Sequence, residues 1–248
     1  MKPLRDSERD NPAKIAARAE KVSEKTGKIS KRVLLIRHGQ YNLDGKEDED
    51  KTLTELGREQ ARETGRRVKA LLEQMKANTA KDENGNQLPL RVRFVKSTMT
   101  RATETGDLIL EELGEELKAS VFTEKEPPSS CDLIREGAPV APVPAHPAWK
   151  PDEFDFFQEG GRIEAGFRKH LYRADPDETA EVVDVLVCHG NVIRYFVCRA
   201  LQFSPDAWLH FNVNNASITH LNLRPSGRVS IHNIGEAGHL PKKMLTYN

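Results

Sequence analysis

Two histidines in this chain share a setting. His38 closes the run LLIRHG and His189 closes LVCHG; each follows an apolar run and precedes a glycine. A neutral imidazole is a nucleophile and a proton carrier near neutral pH. Arg37 stands beside His38, and a third apolar run leads into KSTMTRA, which puts Arg101 at the start of the next helical pattern. Guanidinium groups bind phosphate through two parallel bonds and keep their charge. Two arginines and two histidines suit a tetrahedral dianion better than a carboxylate, which needs fewer donors. Taken singly, each residue has a plain explanation: a polar turn residue, or a solvated arginine. Taken in order, the three strand tips are hard to obtain by accident.

The elements that must bring these residues together are legible in outline. Residues 33–36 and the run VVDVLVCHG are continuous apolar stretches, as expected of parallel strands buried on both faces. A shorter strand is expected over 92–95. Thr54 is a good helix cap, and Ala61, Gly65, Val68, Leu72 and Met75 mark one helical face after it. Further helices are expected over about 100–113, over 152–172 with Gly160-Gly161 as a weak point, and over NVIRYFVCRAL. Val121-Phe122 reads as the end of another short strand. SITHLNLRPSGRVSIHNI reads as a hairpin turning at Pro225-Ser226-Gly227. Strands alternating with helices give an α/β fold, with a mostly parallel central sheet flanked by helices on both faces and a C-terminal β-hairpin. In such sheets a ligand lies beyond the carboxyl ends of the strands. Residues 127–151 hold seven prolines and read as a functional loop.

The totals exclude some classes. The 248 residues carry 38 basic and 38 acidic side chains, so nothing favours nucleic acid or a membrane surface as partner. No window approaches a membrane span. Cys131, Cys188 and Cys198 have no metal-site spacing and read as reduced thiols. Residues 1–30 read as a polar arm, partly helical or disordered, with a helix start at Asn11-Pro12. The arm matches neither a secretory signal nor an acid-poor transit peptide, so the chain as given reads as soluble. Residues 31–248 read as one domain.

With these residues in hand, the chain resembles the histidine phosphatase superfamily, in its phosphoglycerate-mutase-like branch. The resemblance rests on LIRHGQ, LTELGREQA, KSTMTRATET, LIREG and VCHGNVIR, and runs from about Lys31 to Asn233. A further set, including RHGQY, DLIREGAP, HPAWKP and CHGNVIRYFVCRALQF, is similar to the mitochondrial serine/threonine-protein phosphatases of that superfamily. The resemblance implies His38 as a nucleophile forming a phosphohistidine. It implies Arg37, Arg101 and His189 as holders of the phosphoryl oxygens, with His189 also catalytic. It implies Glu136, in LIREG, as the general acid, with Glu124 and Glu126 as nearby alternatives. No cofactor and no metal are required, because cationic side chains do the charge work. The implied substrate is a phosphoprotein, at phosphoserine or phosphothreonine and by extension phosphohistidine. A homo-oligomer, dimer or larger, and a mitochondrial location are implied as well, with a cytoplasmic location as the alternative.

Mutases of this superfamily carry a Glu-Ser pair after RHG and a tryptophan-bearing substrate loop. Here Gln40-Tyr41 follows, and the loop is the acidic GKEDEDK. These departures argue against a mutase. The acidic run 47–50 reads as a solvated loop or as a cleft rim that favours basic peptides. A small-molecule phosphatase or phosphoglycerate mutase remains as the alternative enzyme, and a scaffold that uses the fold to recruit partners as the alternative of another class.

Overall fold

The computed structural model describes residues 29–82, 84–173 and 178–247. The arm at 1–28, with its expected helix start, lies outside the described residues. A six-stranded sheet runs through the rest in the order β3-β2-β4-β1-β5-β6. Its strands are β1 (Lys31–Arg37), β2 (Leu90–Ser97), β3 (Ser129–Cys131), β4 (Glu181–Cys188), β5 (Ile218–Leu223) and β6 (Val229–Glu236). β4 lies between β2 and β1 and is parallel to both, and β3 adds in parallel at the edge. The hairpin β5–β6 pairs antiparallel on the other side of β1. The fold class expected from the alternating pattern is the fold observed.

Both faces of the sheet are covered, which is why the central strands read as unbroken apolar runs. On one face Leu34, Ile36, Val183, Val185 and Val187 pack against α1 (Glu55–Ala77) and α2 (Thr100–Leu113). On the other, Val33, Leu35, Leu186 and Cys188 pack against Ile163 of α4 (Glu153–His170) and Phe196 of α5 (Gly190–Leu201). All eight residues of β4 are buried. Thr54 caps α1 by accepting from the Gly57 N–H at 3.0 Å. Among the described residues no helix is long and apolar enough to cross a membrane. The three cysteines are free and buried.

Three sequence expectations are corrected. Val121 ends not a strand but a short helix, α3 (Glu115–Val121). Leu117 and Val121, four residues apart, are its buried face, a helical spacing that the apolar pair Val121-Phe122 concealed. The weak point at Gly160-Gly161 does not break α4. A Cβ at Gly160 would stand 2.4 Å from the Pro139 carbonyl oxygen, so this glycine lets the proline-rich segment lie against the helix. That segment also contains a strand, β3, and a 3-10 turn over Asp132–Ile134.

Candidate active site

Every parallel strand delivers a residue of interest at its carboxyl end. β1 ends in Arg37 and His38, β2 leads through Ser97 to Arg101, β3 and its turn lead to Glu136, and β4 ends before His189. The crossover that puts β4 between β1 and β2 sets His38 and His189 on adjacent strands. Their ring centroids are 5.1 Å apart.

His38 is buried, and its tautomer follows from its neighbours. Nδ1 lies 2.8 Å from the Gly39 carbonyl, which only accepts, so Nδ1 carries the proton. Nε2 lies 3.2 Å from Nε of Arg101, which only donates, so Nε2 presents its lone pair. Burial, then the charges of Arg37 and Arg101, push the pKa of His38 well below its ordinary value. The ring is therefore neutral. Its backbone is locked as well: the His38 N–H donates to the Cys188 carbonyl, and its own carbonyl accepts from Ala216 N–H and from Asn215 Nδ2. A Cβ at Gly39 would meet the Gly57 carbonyl oxygen at 2.5 Å, because the first turn of α1 packs directly on this loop. Gly190, after the second histidine, has no such demand; a Cβ there would find ordinary contacts at 3.5 Å and beyond.

Arg37 is buried and donates to the carbonyls of Val213, at 2.8 Å, and Tyr247, at 3.1 Å. Burial lowers it to about 10, with the Glu136 carboxylate pulling the other way. It stays cationic at neutral pH. Arg101 sits in the first turn of α2 and stacks over Tyr41 at 4.7 Å. Beyond His38 it reaches Asp48 Oδ1 at 3.5 Å and Met99 Sδ at 3.7 Å.

His189 is fully buried; its Nε2 is 2.8 Å from Ser97 Oγ, and its Nδ1 has no hydrogen-bond partner among the described residues. Burial, then the His38 ring and the nearby arginines, hold it well below the ordinary imidazole range. Glu136 accepts from the Gly137 N–H at 3.1 Å and from the Asn191 N–H, in the first turn of α5, at 3.4 Å. Desolvation still raises its pKa, against those two bonds and the two arginines. The alternative acids lie elsewhere: Glu126 pairs with Arg91 Nε at 3.2 Å near the start of β2, and Glu124 is exposed. Among the described residues no cluster of three or more His, Cys, Asp or Glu side chains could hold a metal ion.

Several contributors escaped the sequence reading. Ser97 holds His189, Thr105 Oγ1 takes the Gly39 N–H at 3.0 Å, and Asp48 reaches Arg101. Ser97 was the one within reach, since it stands at the third strand tip. The acidic run is not wholly solvated, because Asp48 turns inward while Glu47, Glu49 and Asp50 are exposed. Beside the site lies a cleft of about 550 Å³ lined by Tyr41, Trp149, Arg194, Trp208 and Tyr247. Trp149 packs edge-on against Trp208, whose Nε1 donates to Val140, so the proline-rich segment forms one wall.

A neutral, buried imidazole whose lone pair faces a guanidinium, set beside a second arginine and a second histidine, is the arrangement of a histidine phosphatase. Residues 33–122 and 149–234 match the profile of the histidine phosphatase superfamily (branch 1), and the chain belongs to that superfamily. It is 42% identical over 228 residues to the human mitochondrial serine/threonine-protein phosphatase PGAM5, covering 92% of this chain and 70% of that protein. It is likewise 42% identical over 246 residues to Pgam5 of Drosophila melanogaster, covering 99% of this chain and 76% of that one. Among solved structures, it is similar to a phosphoglycerate mutase from Plasmodium falciparum, with a TM-score of 0.51, 27% identity and coverage of 89% and 99% of the two chains.

Proposed function

We propose that this chain is a serine/threonine-protein phosphatase that works through a phosphohistidine on His38. The observation that carries the reading is the tautomer of His38, with Nδ1–H held by the Gly39 carbonyl and the lone pair of Nε2 facing Arg101. A phosphoryl oxygen that takes the Arg101 Nε–H frees that lone pair. Nε2 then attacks phosphorus in line. As the N–P bond forms, the P–O bond to the serine or threonine oxygen breaks. Glu136, its pKa raised by desolvation, gives its proton to that oxygen. The positive charge left on the ring is shared with the Gly39 carbonyl. Arg37, Arg101 and His189 hold the three phosphoryl oxygens, with His189 donating from Nδ1, which has no partner among the described residues, when Ser97 Oγ–H points at Nε2. In the second step the Glu136 carboxylate takes a proton from water, the water oxygen bonds to phosphorus, and the N–P bond breaks to release phosphate. The cationic side chains supply the charge stabilisation, so turnover in a chelator is expected to equal turnover without one.

The protein-phosphatase reading draws on the names of the relatives, and on a cleft wide enough to take residues flanking a phosphorylated side chain. A mitochondrial location, self-association and a single catalytic domain from residue 31 belong to the same proposal. The test is a panel of phosphoserine and phosphothreonine peptides, 3-phosphoglycerate and sugar bisphosphates, run on purified protein. Preference for the peptides, with an acid-labile, alkali-stable phosphoenzyme, is expected. Preference for 3-phosphoglycerate would replace the reading with a mutase or small-molecule phosphatase.

A further inference from the structure

Arg101 is held from two sides. Its Nε faces the nucleophile, while its Nη1 lies 3.5 Å from the carboxylate of Asp48, which reaches in from the acidic loop. The other oxygen of Asp48 accepts from the Thr100 N–H at 3.0 Å and from Thr100 Oγ1 at 3.2 Å. These bonds matter locally, because Met99, the cap residue of α2, makes no side-chain cap bond. Asp48 thus supplies the missing helix cap from a loop some fifty residues earlier in the chain, about one cap bond's worth of order for the turn that carries Arg101. The same side chain puts a negative charge against a guanidinium that has to grip a dianion.

Resting on the phosphatase reading, we propose that Asp48 sets the anion affinity of this site. Its carboxylate is a resident competitor for Arg101, and an incoming phosphoryl group must meet or displace it. Two like-signed groups sharing one guanidinium weaken each other's hold, more so where water is partly excluded. Asp48 is about a quarter exposed and its contact with Arg101 is long, so the competition is one that a dianion wins. Arginines and histidines alone would keep the phosphate product; Asp48 adds, on the Arg101 side, a second carboxylate to that of Glu136, and favours its departure. The exposed neighbours Glu47, Glu49 and Asp50 make no such contact with Arg101. Asp48 acts through Arg101 and is a positioning residue, since it touches no reacting atom.

The two roles separate by substitution. Asp48→Asn keeps an oxygen for the Thr100 N–H and removes the charge. Asp48→Ala removes both the cap and the charge. Inorganic phosphate titrated calorimetrically into wild-type protein and each variant reads the affinity with no turnover needed. Asp48→Asn is expected to bind phosphate about fivefold more tightly, the scale of one partly screened charge. In turnover of an aryl phosphate it should lower KM and product-inhibition constant together, with kcat unchanged or reduced. Asp48→Ala is expected to bind more weakly than Asp48→Asn, because the first turn of α2 loses its cap. Phosphate binding by Asp48→Asn that is equal to or weaker than wild type would overturn the proposal. Loss of the phosphatase reading would appear separately, as wild-type protein that turns over no phosphate ester.

Discussion

The two ends of β1 bury charge in opposite ways. At its start, Lys31 is fully buried, with Nζ 2.7 Å from Asp184 Oδ2, 2.6 Å from the His170 carbonyl and 3.8 Å from the centre of the Tyr172 ring. Arg93 completes the group at 2.7 Å from Asp184 Oδ1. At its finish, about 20 Å away along the strand, the Arg101 guanidinium is met by an imidazole lone pair at 3.2 Å, a carboxylate at 3.5 Å and a sulfur at 3.7 Å. The first group is closed by short contacts to one carboxylate. The second holds its side chains in place with long or soft contacts that a better acceptor can take over. Pairing fixes a strand; loose pairing leaves a site ready for an anion.

That contrast can be broken at either end. His38→Ala, at the loose end, should cut aryl-phosphate turnover by at least about 10⁴-fold and abolish the phosphoenzyme, while thermal unfolding shifts little. Asp184→Asn, at the closed end, should do the reverse. It strands Lys31 and Arg93 without a counter-charge, at about 3–5 kcal/mol, read by urea denaturation, with kcat per folded molecule preserved. Equal losses of activity and stability in either variant would erase the distinction.

Glu136→Gln should lower kcat by about 10²- to 10³-fold on alkyl phosphates, and less on aryl phosphates, whose leaving group needs no proton. The pH profile carries the sign. In the proposed mechanism His38 acts neutral, and its pKa is lowered, so the acid limb of kcat/KM should lie below the ordinary imidazole range. In the same proposal Glu136 acts protonated in the first step, and its pKa is raised, so activity should fall as pH climbs through a value above the ordinary carboxylate range. Glu136→Gln should remove that second limb and leave the first.

The smallest expected effect belongs to His170, at the closed end. Burial lowers it from 6.5 to about 4, and its Nε2 has no hydrogen-bond partner among the described residues. Between those values the unfolded chain binds the extra proton, so stability is intact above pH 6.5 and is lost as pH falls towards 4, by up to about 3 kcal/mol. His170→Gln should flatten this part of the stability profile against wild type. A wild-type slope that persists in the variant would assign the loss to other groups.

The loose end was largely legible in the sequence, and the closed end was not. His38, Arg101 and His189 stand where apolar runs stop, and the parallel-strand pattern gives those positions meaning. Glu136 follows the same rule, but its strand is three residues long inside a proline-rich stretch, so only resemblance marked it. Asp48 looked like one member of a solvated acidic run, because a contact between a loop and a distant helix turn leaves no periodic trace. Lys31 lies ahead of the strand expected over 33–36, and Asp184 sits inside the run VVDVLVCHG; their meeting depends on the β1–β4 register, in which Lys31 lies beside Val182 and Val33 beside Asp184. Spacing reveals what one element presents, and it hides what two elements share.

The grip of Arg37 has a consequence for how activity arises during folding. Its guanidinium is held by carbonyls 176 and 210 residues further along the chain. Contacts of that separation form late, after the entropy of closing a long loop has been met. A chain that has folded only its first strands and helices lacks the carbonyls that anchor Arg37, and lacks the Cys188, Asn215 and Ala216 backbone and side-chain groups that hold His38. On the proposed mechanism, phosphate-ester turnover is expected only once the sheet has closed from its first strand to the segment beyond its last.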